Sequence, residues 1–129
     1  NIIPTTSSAV RAVWKVMPGM RDRFDGIATR VPVLDGALAE LVIVLNNRTD
    51  IPSLNAILKK STETYMKNII EYCSDPVVSS DIIGRPGSCI FDSLSTKVIG
   101  ENTIQLIAWY DNEYGYSNRL IDLIIRIGG

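Results

Sequence analysis

The passage that most restricts this fold is residues 103–127, where an apolar strand breaks over a polar turn into an amphipathic helix. Residues 103–110 read Thr-Ile-Gln-Leu-Ile-Ala-Trp-Tyr, a run of the β-branched and aromatic residues that suit a pleated surface. Asp111 and Asn112 follow at the junction, where a short polar side chain can cap a helix by accepting its free N–H groups. Over 114–127 the residues Tyr116, Leu120, Leu123, Ile124 and Ile127 recur at helical spacing on one face. A strand and a helix joined this closely call for a sheet with helices beside it.

The rest of the composition narrows the class. With 129 residues the chain is long enough for one domain with a core, and 46% hydrophobic content argues against disorder. A net charge of −1 offers no electrostatic case for nucleic acid or an anionic membrane surface. No apolar run approaches the roughly 20 residues that span a bilayer, and the first eight residues do not resemble a signal peptide. No membrane partner and a cytoplasmic location are therefore expected. The chain has no histidine, which excludes histidine catalysis from within it and removes the commonest metal ligand, so no metal site is expected. Its two cysteines, Cys73 and Cys89, read as free thiols. Cys89 falls on a strand with no histidine to lower its pKa, so it reads as structural and not as a nucleophile.

Taken in order, residues 1–4 suggest a short strand closed by Pro4, and 5–8 a hydroxyl-rich turn. Val10, Val13, Trp14 and Met17 predict a helix capped by Ser7 or Ser8 and ended by Pro18-Gly19. A helix start of this kind attracts anions, although serine there is more often only a cap. Residues 25–45 predict two strands around a hairpin-type turn at Asp35-Gly36, with 38–45 apolar enough for the centre of a sheet. Arg30 lies on the first of these strands. Its spacing fits a surface ion pair as well as a guanidinium that grips two phosphate oxygens. Asp50 and Pro52 open a helix with Leu54, Ile57 and Leu58 on one face, and Tyr65, Met66, Ile69, Ile70 and Cys73 suggest a second stripe beyond a bend at Ser61-Thr62. Strands are predicted over 77–83, 89–92, 96–99 and 103–110, with a tight turn at 100–102. The expected fold is α+β, a mainly antiparallel mixed sheet with helices packed on one face.

Several strings point to one family. They are Asn-Ile-Ile-Pro-Thr-Thr at 1–6, Arg-Val-Pro at 30–32, Val-Ser-Ser-Asp at 78–81, Ser-Cys-Ile-Phe-Asp at 88–92 and Trp-Tyr-Asp-Asn-Glu-Tyr-Gly-Tyr-Ser-Asn-Arg at 109–119. Together they resemble the catalytic domain of glyceraldehyde-3-phosphate dehydrogenase over 1–127. The chain departs from that family at Ser7 and Ser8, where Thr-Gly is usual, at 33–37, where Thr-Pro-Asn-Val-Ser is frequent, and at Tyr114, where Trp is frequent.

The resemblance implies that Ser7, Ser8 and Arg30 bind the phosphates of substrate and attacking inorganic phosphate. It implies that Asn112 contacts the nicotinamide carboxamide of NAD, with Tyr116 supporting the ring; NADP is not excluded. The family's nucleophilic Ser-Cys-Thr-Thr-Asn-Cys segment and activating histidine are missing, and no Gly-x-Gly-x-x-Gly follows any strand. Residues 1–129 are thus expected to be the C-terminal part of a catalytic domain, without the dinucleotide-binding domain, with no catalytic residue and inert alone. The whole enzyme would oxidise glyceraldehyde 3-phosphate to 1,3-bisphosphoglycerate in glycolysis, as a homotetramer assembled through this sheet. Two alternatives stand beside it. Erythrose-4-phosphate dehydrogenase hydrolyses the thioester; Asp22-Arg23-Phe24 and the lost Thr-Gly pair lean toward it, Tyr110 and Tyr116 away. A non-catalytic assembly or binding module that keeps the fold is the other.

Overall fold

A computed structural model describes residues 1–129, which divide into two compact units, Asn1–Leu34 and Asp35–Gly129. In the first unit, strand β1 (Ile3–Thr5) leads through Ser7 into helix α1 (Ser8–Val16), a 3-10 turn at Pro18–Met20, and strand β2 (Ala28–Arg30). β1 and β2 pair antiparallel, with Ile3 opposite Arg30 and Thr5 opposite Ala28. β1 runs through Pro4 and does not stop there, which a two-stranded ladder tolerates because each strand keeps a free edge. α1 buries Val10, and the Trp14 indole N–H donates to the Phe24 carbonyl at 2.9 Å, tying the helix to the segment before β2.

The second unit is a four-stranded sheet in the order β3-β6-β5-β4, built from β3 (Ala37–Val44), β4 (Ile70–Cys73), β5 (Cys89–Ile99) and β6 (Thr103–Tyr110). β6 runs antiparallel to both β3 and β5, while β4 lies parallel to β5. Helices α2 (Ile51–Glu63) and α3 (Asn112–Gly128) complete it. The fold is α+β with mostly antiparallel sheets, as expected. No helix is long and apolar enough to cross a membrane.

Side-chain alternation gives the sheet two faces. Phe91, Ile104 and Leu106 form one core with Leu54 of α2, joined by Leu41, Leu58, Tyr72 and Val98. Ile90 forms a second with Cys73 and Ile82, closed by Val77 and Trp109. Asn55 locks α2 onto β5, donating to the Ser93 carbonyl at 3.1 Å and accepting from the Thr96 hydroxyl at 2.8 Å.

Several local expectations are corrected. β2 takes β1 as its partner and β3 takes β6, so Asp35-Gly36 is not a hairpin turn. The Asp35 carboxylate instead accepts the Gly36 N–H at 2.7 Å, and Gly36 has φ +86°. β3 is an edge strand, not a central one. Its apolar residues are largely exposed, Val44 by 72%, so their hydrophobicity marks surface on this chain and not its core. The stripe 65–73 is not a second helix. The hydroxyls of Ser61, Thr62 and Thr64 donate to carbonyls three or four residues back in the last turns of α2, Asn68 turns left-handed at φ 65°, and β4 begins. Residues 77–83 form no strand but a 3-10 turn at Ser79–Asp81, because the Asp81 carboxylate accepts the Val78 N–H at 2.8 Å. The strands at 89–92 and 96–99 are one strand with an irregularity between Asp92 and Lys97. There the buried Asp92 carboxylate accepts the N–H groups of Leu94 and Ser95 and replaces lost ladder bonds. The stripe Tyr116, Leu120, Leu123, Ile124 and Ile127 of α3 is exposed, Ile127 by 77%.

Candidate anion and cofactor-contact sites

The five residues singled out from the sequence fall into two groups, Ser7, Ser8 and Arg30 in the first unit and Asn112 and Tyr116 in the second. Ser7 is the N-cap of α1. Its backbone is extended (φ −121°, ψ 132°) and its hydroxyl oxygen accepts the Ala9 N–H at 3.1 Å. That bond uses a lone pair and leaves the hydroxyl hydrogen free to donate. Ser8 is the first helical residue, where the N–H has no partner inside the helix and points out of its positive end. The first turn of α1 carries no acidic residue that would compete for an anion.

Arg30 ends β2, opposite Ile3, whereas the chain leaves the ladder toward Ser7 at the other end, beyond Thr5. Two residues of strand, roughly 7 Å of rise, separate those ends, and Ser7 lies two residues further along the chain, so the structure does not bring Arg30 and Ser7 together at one point. Arg30 is exposed and takes no carboxylate partner within its unit, so the surface ion pair that its spacing allowed does not form there.

In the second unit the junction is built around Asp111. The residue is 3% exposed. Its Oδ1 accepts the N–H groups of Tyr114 at 2.8 Å and Glu113 at 3.1 Å, and its Oδ2 accepts that of Gly84 at 2.8 Å. These backbone donors, Gly84 first, hold its carboxyl below the usual aspartate range despite the opposing cost of burial. One side chain therefore starts α3 and pins it to the Gly84 loop. Asn112, the first residue of the helix, is left exposed with an amide that offers both a donor and an acceptor. Tyr116 is 65% exposed one turn further on. A cleft of about 330 Å³ at the junction is lined by Asp35, Ile83, Gly84, Asp111, Glu113, Tyr114 and Ser117; neither Asn112 nor Tyr116 lines it.

Cys89 is partly buried at the start of β5, and burial pushes its thiol pKa up. A thiol in that state is a poor nucleophile.

Sequence reasoning missed three residues that set this junction. Gly84, Gly87 and Gly115 are backbone contacts, and their sequence signal is slight: two loop glycines and one glycine inside a helix.

Taken together, the chain has an α+β fold with mostly antiparallel sheets and carries no histidine for proton transfer. Residues 1–112 match the sequence profile of the family described as glyceraldehyde 3-phosphate dehydrogenase, C-terminal domain, and the chain belongs to that family. Among similar proteins, glyceraldehyde-3-phosphate dehydrogenase 2 of Streptomyces avermitilis is 44% identical over 128 residues, covering 99% of this chain and 38% of that protein. The glyceraldehyde-3-phosphate dehydrogenase of Mycobacterium tuberculosis strain H37Rv matches with the same identity and coverage. That of Streptomyces coelicolor is 45% identical over 129 residues. The chain thus spans 38% of the length of these relatives.

Proposed function

We propose that residues 1–129 are the C-terminal part of the catalytic domain of a longer, phosphorylating aldehyde dehydrogenase. It oxidises glyceraldehyde 3-phosphate to 1,3-bisphosphoglycerate with NAD and inorganic phosphate, in glycolysis and in the cytoplasm. The observation that carries this reading is the match of nearly the whole chain to proteins named for that activity. The dinucleotide-binding domain, the nucleophilic cysteine and its activating histidine lie outside these residues in this reading, so the chain holds substrates and leaves the bond-making to the remainder.

The parts fit that division. Arg30 offers two parallel N–H donors to one phosphate, a geometry lysine cannot match. The free hydroxyl hydrogen of Ser7 and the N–H of Ser8 add neutral donors at a positive helix end. Ser8 brings a Cβ where glycine would allow closer approach, which lengthens that contact. NAD, or NADP, supplies the hydride acceptor when bound. The Asn112 amide matches a carboxamide donor for acceptor, and such pairing holds a ring so that one face meets the substrate. Tyr116 stands on the same helix within reach of supporting it. Both residues fit the role because each is exposed beside the rigid Asp111 cap.

The exposed apolar residues of β3 and of α3 support cover by other parts of the enzyme and by further subunits, as in a homotetramer. The same surface favours a second reading, a non-catalytic assembly module that keeps the fold.

The test is kinetic. In the full-length enzyme, Arg30→Gln should raise KM for the sugar phosphate or for inorganic phosphate roughly 10- to 100-fold, the worth of a charged hydrogen bond. An unchanged KM for both would remove Arg30 from the site. Turnover that needs no inorganic phosphate would favour the erythrose 4-phosphate reaction. No turnover in the full-length protein would favour the module. The isolated 129 residues should show none with aldehyde, cofactor and phosphate.

A further inference from the structure

α3 is held to its unit along one stripe. Asp111, Gly115 and Arg119 are spaced by four, which stacks them on one side of a helix. Asp111 accepts the Gly84 N–H at 2.8 Å. Gly115 lies against backbone: a Cβ there would stand 2.9 Å from the Gly87 carbonyl oxygen and 3.5 Å from the Ser88 Cα. The Arg119 guanidinium donates from Nη1 to the Asn68 carbonyl at 2.7 Å and sits 3.5 Å from the Ser88 hydroxyl. All three contacts thus fall on loop 84–88 or on the turn before β4.

That loop is itself braced. Glu71 of β4 accepts Arg85 through Nε at 3.0 Å and Nη2 at 2.5 Å, and its other oxygen accepts the Gly87 N–H at 3.0 Å. Gly87 is wedged between Glu71 and Gly115; a Cβ on it would meet Glu71 Oε1 at 2.6 Å. Beyond Arg119 the apolar residues of α3 are exposed, so the helix is located in its unit by this stripe.

A cap alone leaves a helix free to roll and tilt about one point, and the contacts at Gly115 and Arg119 remove those freedoms. Side-chain tips stand about 5–6 Å from a helix axis, so a roll of about 10° carries one by about 1 Å. A misplacement of about 1 Å can cost a reaction roughly 100-fold. Resting on the proposed contact between Asn112 and the nicotinamide carboxamide, we infer that Arg119, together with Gly115, is a positioning residue for hydride transfer: seated on loop 84–88, it sets where the Asn112 amide stands.

The experiment uses the full-length enzyme with Asn112→Ala, Gly115→Ala, Arg119→Met and Arg119→Lys. The readouts are kcat, KM for the sugar phosphate, and the face of the nicotinamide that carries label when deuterated aldehyde is oxidised, read by NMR. Gly115→Ala and Arg119→Met should lower kcat roughly 10- to 100-fold and spread label onto the second face, with KM for the sugar phosphate unchanged. Arg119→Lys, which keeps a donor for the Asn68 carbonyl, should restore most of both. If Asn112→Ala loses kcat and face selectivity while Gly115→Ala and Arg119→Met keep them, the positioning role is overturned and the cofactor contact stands. If Asn112→Ala changes neither, the cofactor contact itself is wrong and the positioning role falls with it. Gly115→Ala removes no polar group, so it decides the matter should Arg119→Met not fold.

Discussion

Replacing Asp111 tests the physics of the strand-to-helix junction directly. Loss of a helix N-cap costs about 1 kcal/mol, and a hydrogen bond to a charged group about 1.5–3 kcal/mol. Asp111→Ala removes the cap bonds to Glu113 and Tyr114 and the long-range bond to Gly84 together. The backbone at Gly84 is exposed and regains water, so the loss should sit at the low end of the summed range, at about 2.5–3 kcal/mol. Asp111→Asn should cost less, about 1.5–2 kcal/mol, because asparagine keeps the cap through its one carbonyl oxygen while its NH2 group cannot accept the Gly84 N–H. The pH dependence separates the two effects. The backbone donors depress the folded-state pKa of Asp111, so the unfolded chain binds more protons as pH falls. Its stabilisation is therefore complete above the unfolded value, near pH 4, and is lost as pH drops through the depressed folded value. The assay is urea unfolding of residues 1–129 between pH 2 and pH 7 in a Trp14→Phe background, which leaves Trp109 as the one tryptophan of these residues to report the second unit. The gap between parent and Asp111→Asn should be full at pH 7 and close in acid. A loss in Asp111→Ala under about 0.5 kcal/mol at pH 7, typical of an ordinary surface change, would refute the account. A gap that stays constant down to pH 2 would refute the charge argument.

Two further outcomes follow from the geometry. Gly36→Ala should destabilise the second unit by about 1–3 kcal/mol, because φ is +86° and the new Cβ would lie 2.9 Å from the Ser79 carbonyl oxygen; an unchanged melting temperature would contradict this. Cys89 should react with iodoacetamide at pH 7 more slowly than glutathione does and recover full reactivity in denaturant, since burial raises its thiol pKa; equal rates in the folded chain, read by peptide mass spectrometry, would mean the thiol is not shielded.

The sequence alone determined those features whose physics is local. The caps at Ser7, Asp50 and Asp111 were readable because a short polar side chain before an apolar-periodic run satisfies N–H groups two or three residues away. β6, the Gly100 turn and the α+β class were readable for the same reason, since alternation and turn chemistry act within a few residues. The strings at 1–6, 30–32 and 109–119 also carried the family, and with it the candidate roles of Ser7, Ser8, Arg30, Asn112 and Tyr116.

Tertiary structure decided everything that depends on partners far along the chain. Hydrophobicity of 38–45 suggested a central strand, but whether an apolar residue is buried depends on what lies above it, and β3 came out at an edge. Asp35-Gly36 carried a turn signal, but pairing is set by which strand fits the register, and β6 outcompeted the neighbouring strand for β3. The role of Arg119 and of the Gly87–Gly115 contact was invisible because it joins residues up to 51 apart in sequence through backbone atoms, which have the same chemistry at every position. Residue type can announce a cap within one turn; only the folded chain can say which loop that cap will hold.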